Sequence, residues 1–209
     1  MRLYDCDTAP SPRRVRIFIA EKGVEVPRVQ VSLKDQEQFS AQFRAKNPQC
    51  TVPVLELDDG TCISGTGAIC VYLEEIYPEP VLLGRDPVEK AMIAMWNTRM
   101  ETEGFDAVAE AFRNAASGFK DHALTGPHEF TQIPALAERG RQRAVLFLDT
   151  LNDRLAVSRF VAGEEFSLAD ITAMVTVDFC GWIKVAPAEH HDGVRRWYEA
   201  VSARPSAAV

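Results

Sequence analysis

The residues with the clearest capacity for chemistry lie between Cys50 and Gly60. Pro53 stands directly before the apolar pair Val54-Leu55, and proline at the head of a strand fits an edge or entry position because it has no N–H to donate. A cis peptide bond is also tolerated before proline. The N–H and C=O of Val52 would then be free to pair with an extended ligand. This order of residues predicts a binding site for a peptide-like molecule.

The strand after Pro53 is predicted to turn back at Asp59-Gly60. Asp-Gly is a strong hairpin signal, since both central residues of a type I′ turn take positive φ. A second strand from Thr61 to Ser64 and a helix from about Thr66 should follow, and Pro78 should end that helix. The hairpin therefore sets the register of two short strands beside a helix start.

Other reactive residue types are predicted to have structural roles. The chain has five cysteines: Cys6, Cys50, Cys62, Cys70 and Cys180. They form no CxxC or zinc spacing, so we expect reduced, mostly buried thiols and no metal. His190 and His191 are adjacent, cannot share a helix face, and should be solvated at a helix start. Arg13, Arg14 and Arg16 crowd another helix start, where cations oppose the dipole, so we expect acidic partners in surface salt bridges or a bound anion.

Composition limits the class of protein. With 209 residues, 46% of them hydrophobic, the chain can bury the core of one large domain or two small ones. The formal net charge of −7 counts against nucleic acid or an anionic membrane as the main partner, because both require a basic surface. No stretch approaches the roughly 20 apolar residues of a membrane span, and the N-terminus has no signal-peptide apolar region. We therefore expect a cytoplasmic location.

The pattern of elements changes near residue 80. Before it, β-like runs alternate with helical patterns, which is typical of an α/β sheet. The runs are Arg2 to Tyr4, Val26 to Val31, Val54 to Leu57 and Thr61 to Ser64. The first helix should begin after Pro12 and stop at Gly23. Beyond residue 80 the pattern is helical, so we predict an α/β domain over 1–80, a linker over 81–87 and an all-α domain over 88–209.

Two helix starts are strongly specified in the second half. Asp86-Pro87-Val88-Glu89 supplies an N-cap, a first-turn proline and a capping-box glutamate, which predicts a long helix to about Glu110. Ser167 to Asp170 is a second capping box, before an apolar helix that should be buried. The stretch from Ser117 to Thr131 is predicted to be a loop. The pattern also places four aromatic residues at inner positions: Trp96, Phe105, Phe112 and Trp182.

Four motifs in this order resemble the cytosolic glutathione S-transferase family along nearly the whole chain. They are Pro10 to Gly23, Asn47-Pro48 with Thr51 to Pro53, Thr66 to Ile69, and Ser167 to Asp170. The first is similar to a fungal and bacterial branch of the family. The resemblance implies a thioredoxin-like N-terminal domain followed by an all-helical C-terminal domain. It also implies a cytoplasmic homodimer that conjugates the thiolate of glutathione to an electrophilic, hydrophobic small molecule in detoxification.

The resemblance places the thiolate donor in the loop before the first helix. The usual serine or cysteine position falls on Ala9, which has no side-chain donor, so Ser11 is the best remaining hydroxyl and Thr8 a weaker one. N–H groups at the helix start could supplement it, and the alternative is a loop serine that faces water. Related members activate the thiol through a water, with help from a second-domain histidine. The matching residues, Phe112-Arg113-Asn114, include no histidine and are expected at the electrophile pocket.

The resemblance also implies a set of residues that bind glutathione. They are Val52, Pro53, Gly65, Thr66, Gly67 and, for the glycyl carboxylate, Lys34 or Gln38. Val52 would pair its main chain with the cysteinyl part. Thr66 and Gly67 would hold the γ-glutamyl carboxylate at a helix start. Gly65 replaces an acidic or amide side chain of the family, which would remove one contact to the γ-glutamyl amine. Plain helix capping and solvated side chains are the alternatives.

Two other functions fit the same motifs. A glutathione-dependent disulfide or peroxide reductase is the alternative among enzymes, because branches without a catalytic serine or cysteine include such activities. A non-catalytic glutathione- or ligand-binding module is the alternative from another class. Ala9, Gly65 and the missing histidine favour the binding module. In each case glutathione is the expected small molecule and no metal is expected.

Overall fold

The computed structural model describes all 209 residues, which form two compact units. The first unit comprises Met1–Pro80 with Thr125–His128 and Val209, and the second comprises Val81–Leu124 and Glu129–Ala208. No helix in either unit has both the length and the apolar composition that a membrane span requires. The ligand-binding roles expected of the two domains stay predictions.

The first unit is a four-stranded sheet with helices. Its elements are β1 (Arg2–Asp5), α1 (Pro10–Glu21), β2 (Arg28–Gln30), α2 (Ala41–Arg44), β3 (Val54–Glu56), β4 (Cys62–Ser64) and α3 (Thr66–Ile76). The strand order is β2-β1-β3-β4, with β1 parallel to β2 and the other two pairs antiparallel. A parallel pair needs a crossover connection, and α1 supplies it. The predicted alternation of strands and helices is confirmed.

Residue alternation in β1 and β3 covers both faces of this sheet. Leu3 pairs with Leu55, and both are fully buried. Tyr4 pairs with Val54 and points to the opposite face. There the Tyr4 and Phe43 rings meet edge to face, with centroids 6.2 Å apart. Because both pairs are buried, protein covers each face of the central strands.

The β3–β4 hairpin forms where predicted, but with a different turn. Only Gly60 takes a positive φ, of +89°, so the type I′ turn predicted at Asp59-Gly60 is wrong. The Gly60 N–H donates to Leu57 O at 3.0 Å, and the Leu57 N–H donates to Thr61 O at 2.8 Å. A three-residue loop of this kind needs a left-handed residue only at its last position.

Helix α1 begins at Pro10, earlier than the predicted start after Pro12. Proline is accepted at this end because the first N–H groups of a helix have no intrahelical partner. Ser11 therefore lies in the first helical turn and not in the preceding loop. Gly23, with φ of +64°, follows the last turn as predicted.

A buried lysine anchors the other end of α1. The Lys22 side chain has no solvent exposure and pairs with Glu74 at 2.6 Å. Its Nζ also donates to Pro80 O at 2.6 Å and to Pro78 O at 3.3 Å. Since a buried ammonium must be compensated, these contacts hold the chain that follows α3 against α1.

The second unit is all-helical. Its helices are α4 (Pro87–Arg99), α5 (Asp106–Ala115), α6 (Pro134–Ala156), α7 (Leu168–Cys180) and α8 (Asp192–Ser202). A π-helical segment, Met100–Phe105, joins α4 to α5. The single long helix predicted to about Glu110 is therefore interrupted, and helical structure continues to Ala115. Short 3-10 turns, beginning with Ser117–Phe119, lie within the connections.

Both predicted helix starts of the second unit are confirmed. The Asp86 carboxylate accepts two N–H groups in the first turn of α4, at 2.8 and 2.9 Å. Ser167 and Asp170 form the capping box of α7, whose first nine residues are all buried. Asp170 also accepts from the Val161 N–H at 2.8 Å and the Trp197 indole at 2.9 Å. Burial outweighs these hydrogen bonds and raises the pKa of Asp170 to about 6.

Helices α5 and α6 approach each other closely at Gly140. A Cβ atom placed on Gly140 would lie 2.6 Å from both Ala107 O and Ala111 N. These are main-chain atoms of α5, so they cannot rotate away as a side chain would. The separation of the two helices therefore depends on a residue without a side chain.

We predict that Gly140→Ala lowers the free energy of unfolding by about 1–3 kcal/mol, because overpacking forces the helices apart. Gly181→Ala is the matched control, since Gly181 has helical φ and ψ and a Cβ there would meet nothing within 4 Å. The control should be neutral or slightly stabilising. Urea denaturation followed by circular dichroism measures both. Equal stability of the two variants would contradict the close approach.

Candidate functional site

Three segments of the first unit converge in the fold. Val54 pairs with Ser64, so the residues before β3 run beside those that lead into α3. The Thr66 hydroxyl donates to Ser11 O at 3.3 Å, which joins the start of α3 to the start of α1. The structure therefore brings together Ser11, the Val52–Pro53 segment and Thr66, of which Ser11 and Thr66 lie 55 residues apart in the sequence.

The first turn of α1 presents its open donors at one residue. Pro10 and Pro12 have no N–H, and the Arg13 N–H donates to Ala9 O at 3.3 Å. Ala9 is the N-cap and offers no side-chain hydrogen bond. The N–H and the hydroxyl of Ser11 have no partner within the chain. Ser11 is half-buried at the positive end of the helix dipole, where an anion would be stabilised.

The Val52–Pro53 segment offers an unpaired stretch of main chain. The peptide bond between the two residues is cis. The Val52 side chain packs against the cluster that contains Tyr4 and Phe43. Its N–H and C=O form no hydrogen bond within the chain. The segment thus combines an anchored side chain with a free donor and a free acceptor.

The hydroxyl of Thr66 is already used within the fold. It donates to Ser11 O and accepts from Arg14 Nη2, each at 3.3 Å. The N–H groups of Thr66 and Gly67, in the first turn of α3, remain without partners in the chain. Gly65, just before them, takes φ of +89°, a conformation that L side chains rarely adopt. An anion here would therefore meet main-chain donors and not the threonine hydroxyl.

Lys34 and Gln38 lie in the connection after β2 and form no hydrogen bond with these three segments. Lys34 is exposed. Gln38 is half-buried, and its Oε1 atom is buried without a hydrogen-bond partner. A glycyl-carboxylate contact by either residue stays a prediction.

Two of the three residues predicted at the electrophile pocket, Arg113 and Asn114, hold a loop. Arg113 Nη2 donates to His122 O and to Leu124 O, the latter at 2.8 Å. Asn114 Oδ1 accepts the Ile133 N–H at 2.9 Å. Burial lowers the pKa of Arg113. Both side chains therefore fasten the connection between α5 and α6.

Phe112 has a different environment and belongs to an aromatic cluster of the second unit. Its ring centroid lies 5.3 Å from that of Phe119, 6.0 Å from Phe179 and 5.1 Å from Trp182. Trp182 is 50% exposed, so its predicted inner position is wrong. Trp96, at 8%, is buried as predicted. The half-exposed edge of the cluster is an apolar surface that a flat molecule could contact.

Sequence reasoning missed an ion pair under the loop before α1. Asp5 has no solvent exposure, and its Oδ1 accepts from Arg16 Nη1 at 2.7 Å. The expected acidic partner for the arginine cluster is thus confirmed for Arg16. The expected surface position is wrong, because Arg14 and Arg16 are buried. The position of Asp5 at the end of an apolar strand is a signal that could have indicated a buried carboxylate, though not which residue pairs with it.

Strand β3 carries a second charged network. Glu56 accepts from Arg2 Nε at 2.7 Å, Tyr4 Oη at 2.8 Å and Lys46 Nζ at 2.7 Å. The hydrogen bonds from Lys46 and Tyr4 lower the pKa of Glu56 to about 2. This network lies at the end of β3 opposite Pro53.

One group of possible metal ligands lies in the second unit. Asp149 Oδ1 is 2.8 Å from His191 Nε2 and 3.9 Å from His190 Nε2. The Ala188 N–H donates to His191 Nδ1, so the ring proton of neutral His191 sits on Nε2 and points at Asp149. That nitrogen has no lone pair left for a metal. His191 is buried, against the expectation that both histidines are solvated, whereas His190 is exposed.

Comparison with known proteins identifies the class to which these units belong. Residues 8–76 match the glutathione S-transferase N-terminal domain, and residues 134–200 match the C-terminal domain. Glutathione S-transferase 2 of Saccharomyces cerevisiae is 37% identical over 99% of this chain and 87% of its own length. The thioredoxin-like first unit and the all-helical second unit are the two domains of that fold. The chain belongs to the glutathione S-transferase family.

Two further relatives show how widely the likeness extends. A crystal structure of a glutathione S-transferase domain-containing protein of Marinobacter aquaeolei is 41% identical, covers 99% of each chain and superposes with a TM-score of 0.92. FtsZ-localized protein A of Caulobacter vibrioides is 29% identical over 94% of this chain and 84% of its own length. The whole fold is therefore shared with proteins whose names describe different roles.

We predict that Glu56→Gln destabilises the protein at pH 7 by about 1–3 kcal/mol, since it removes hydrogen bonds to charged partners. The folded pKa of about 2 lies below the ordinary value of 4.5. The carboxylate therefore stabilises fully above pH 4.5, and this contribution is lost as the pH falls through 2. The stability difference between parent and variant should shrink between pH 5 and 2 in urea titrations. Exposed Glu75→Gln should show no such trend, and a constant difference for Glu56→Gln would contradict the prediction.

Proposed function

We propose that the chain is a glutathione transferase. It binds glutathione in the first unit, stabilises the thiolate and transfers it to an electrophilic, hydrophobic small molecule. Family membership and the convergence of three open binding segments support this function. The proposal assigns no role to a metal.

The chemical requirement is a lowered thiol pKa. A cysteine-type thiol has a pKa near 8.5, so only a few per cent is thiolate at pH 7, and the thiolate is the nucleophile. Lowering that pKa by about two units needs about 2.7 kcal/mol of preferential interaction with the anion. A hydrogen bond to a charged group contributes about 1.5–3 kcal/mol. One or two well-placed donors at a helix start are therefore sufficient.

The observation that carries the proposal is the pair of open donors on Ser11. Its N–H and hydroxyl have no partner within the chain and lie in the first turn of α1. Both prolines beside it lack an N–H, so an anion at this helix end would be directed to Ser11. We assign Ser11 as the residue that stabilises the thiolate. The absence of a side-chain donor at Ala9 is offset in this way.

The other parts of glutathione have matching groups. The Val52 N–H and C=O can pair with the main chain of the cysteinyl residue, as in strand addition. The N–H groups of Thr66 and Gly67 can hold the γ-glutamyl carboxylate at the helix dipole. For the glycyl carboxylate, Lys34 supplies a cation, and Gln38 could donate only through its Nε2 group, because its Oε1 is an acceptor. Gly65 leaves the γ-glutamyl amine without a side-chain contact at its position.

We assign the electrophile to the aromatic cluster of the second unit. Phe112 is half-buried and Trp182 half-exposed, and the two rings meet at 67°. Such a surface suits an apolar or aromatic molecule. Arg113 and Asn114 contribute by holding the adjoining connection in place. The identity of the electrophile depends on small differences in this surface.

A non-catalytic binding module is the second candidate. The observation that favours it is Ala9, an N-cap without a side-chain hydrogen bond. FtsZ-localized protein A, among the relatives, is named for a location and not for transfer of glutathione. A binding module would hold glutathione without lowering its thiol pKa.

A reductase would lower the thiol pKa of bound glutathione but act on a disulfide in preference to a chloroarene. The cytoplasmic location stays a prediction.

The first experiment is a titration of bound glutathione at 240 nm, where thiolate absorbs, between pH 5 and 9. We predict a thiol pKa about two units below the free value in the parent. Ser11→Ala should raise it by about one unit, and Ser11→Pro, which also removes the N–H, should bring it close to the free value. Ser202→Ala, an exposed serine of the second unit, is the control.

The outcomes separate the candidates. Saturable binding with an ordinary thiol pKa would support the binding module, and no binding would overturn both. A low pKa that Ser11→Pro leaves unchanged would overturn the assignment of Ser11 alone. Turnover of a chloroarene and of a mixed disulfide then distinguishes transferase from reductase.

The homodimer expected from the resemblance has a candidate surface on α4. Val88, Met92 and Met95 are 71%, 37% and 45% exposed and follow one another at helical spacing. Ala91 and Ala94 extend the same exposed region. Exposed apolar residues grouped on one helix commonly mark a protein contact. We propose that this α4 face binds a second copy of the chain.

We predict that the parent is a dimer in light scattering and that Met92→Glu with Met95→Glu gives a folded monomer, because a charge cannot be buried there without a partner. Leu146→Glu is the control, since Leu146 is 63% exposed on α6, outside this face. The control should remain a dimer. A parent monomer would overturn the homodimer, and a dimer of the double variant would overturn the α4 face.

A further inference from the structure

Arg16 is buried beneath the loop that leads into α1. Its side chain is 6% exposed. Nη1 donates to Asp5 Oδ1 at 2.7 Å and to Cys6 O at 3.4 Å, and Nη2 donates to Asp7 O at 3.0 Å. One guanidinium group therefore contacts the end of β1 and two carbonyl groups of the following loop.

The same loop is held from the side of β2. Asp7 Oδ1 accepts from Arg28 Nη1 at 3.1 Å and from Gln30 Nε2 at 3.0 Å, and the Asp7 N–H donates to Gln30 Oε1 at 3.1 Å. Arg28 and Gln30 also reach Asp5 Oδ2, at 3.2 and 3.4 Å. Arg28 and Asp7 are exposed, so Arg16 is the buried cation of the network and Asp5 its buried anion.

We propose that Arg16 is a positioning residue for thiolate stabilisation, an inference that rests on the proposed function. It sets the path of the loop through the Cys6 and Asp7 carbonyls, and it compensates the buried charge of Asp5. The loop ends at Ala9, whose carbonyl accepts the Arg13 N–H, so the path of the loop fixes where the first turn presents Ser11. Arg16 acts through these groups and does not itself contact glutathione.

Two separable effects follow from this arrangement. The first is geometric, because the planar guanidinium reaches a carboxylate and two carbonyls at once, whereas an ammonium is a point donor. The second is electrostatic, because without Arg16 the buried charge of Asp5, at the base of the same loop, would keep only Arg28 and Gln30 as partners. A like charge disfavours the thiolate and raises the pKa of the thiol. Variants that keep the charge or remove both charges distinguish the two.

The test is the 240 nm titration of bound glutathione on three variants. Arg16→Lys keeps the charge but loses the simultaneous contact with a carboxylate and two carbonyls, and we expect it to raise the thiol pKa by about one unit, a tenfold fall in the acid dissociation constant. Arg16→Met with Asp5→Asn removes both charges and should raise the pKa similarly. Arg16→Met alone should raise it most. Affinity for S-methylglutathione, which has no thiol, should change less than threefold in Arg16→Lys.

Lys22→Met is the matched control, since Lys22 is a buried cation at the opposite end of α1. It should lower stability without moving the thiol pKa. A parent thiol pKa at the free value would overturn both the proposed function and this inference. A low parent pKa that Arg16→Lys and the double variant leave unchanged would overturn the inference alone, as would an equal shift in Lys22→Met. If Arg16→Met does not fold, the thiol pKa measured on Arg16→Lys and on the double variant still tests the inference.

Discussion

Burying the carboxylate of Asp5 costs free energy that only charged and hydrogen-bonding groups can offset. Arg16 supplies the buried cation, and Arg28 with Gln30 occupies the other oxygen. The same groups reach Asp7, so compensation of one charge also holds the loop between β1 and α1. Arg28 and Gln30 lie on β2, so these contacts also join β2 to the end of β1, its parallel neighbour in the sheet. The conformation of the candidate thiolate site therefore depends on a polar requirement of the core beneath it.

The start of α1 shows how main-chain chemistry can replace a side-chain donor. A helix start normally offers several N–H groups, and Pro10 and Pro12 remove two of them. The remaining open groups are those of Ser11, while Thr66 binds the Ser11 carbonyl from α3. Pro10 and Pro12 offer an anion no N–H group, and Ser11 offers both an N–H and a hydroxyl, so the anion is directed to Ser11. Ala9 is compatible with this arrangement because an N-cap side chain would compete for the same N–H groups.

Local signals in the sequence predict most of the fold and part of the site. Short, local residue patterns predict the capping box at Ser167–Asp170 and the strand that begins after Pro53, and the structure has both. The turn at Gly60 and the start of α1 at Pro10 differ from prediction because several turn types accept Asp-Gly and prolines fit the first helical turn. The Arg16–Asp5 pair could not be predicted as a contact, since its partners lie on different elements. For the same reason, the sequence alone predicts a surface position for Arg14 and Arg16, whose burial only the structure shows.

The second unit shows why a residue matched to a family position need not keep the role of that position. The resemblance places help for thiol activation near Arg113 and Asn114, but their polar groups hold the carbonyl and N–H groups of the connection after α5. If the Arg113 side chain turned toward a ligand, the His122 and Leu124 carbonyls would lose their hydrogen bonds to it, and this loss disfavours the rotation. Phe112 adds an apolar ring and no proton donor. In the proposed function, stabilisation of the thiolate is therefore assigned to the first unit and not to these residues.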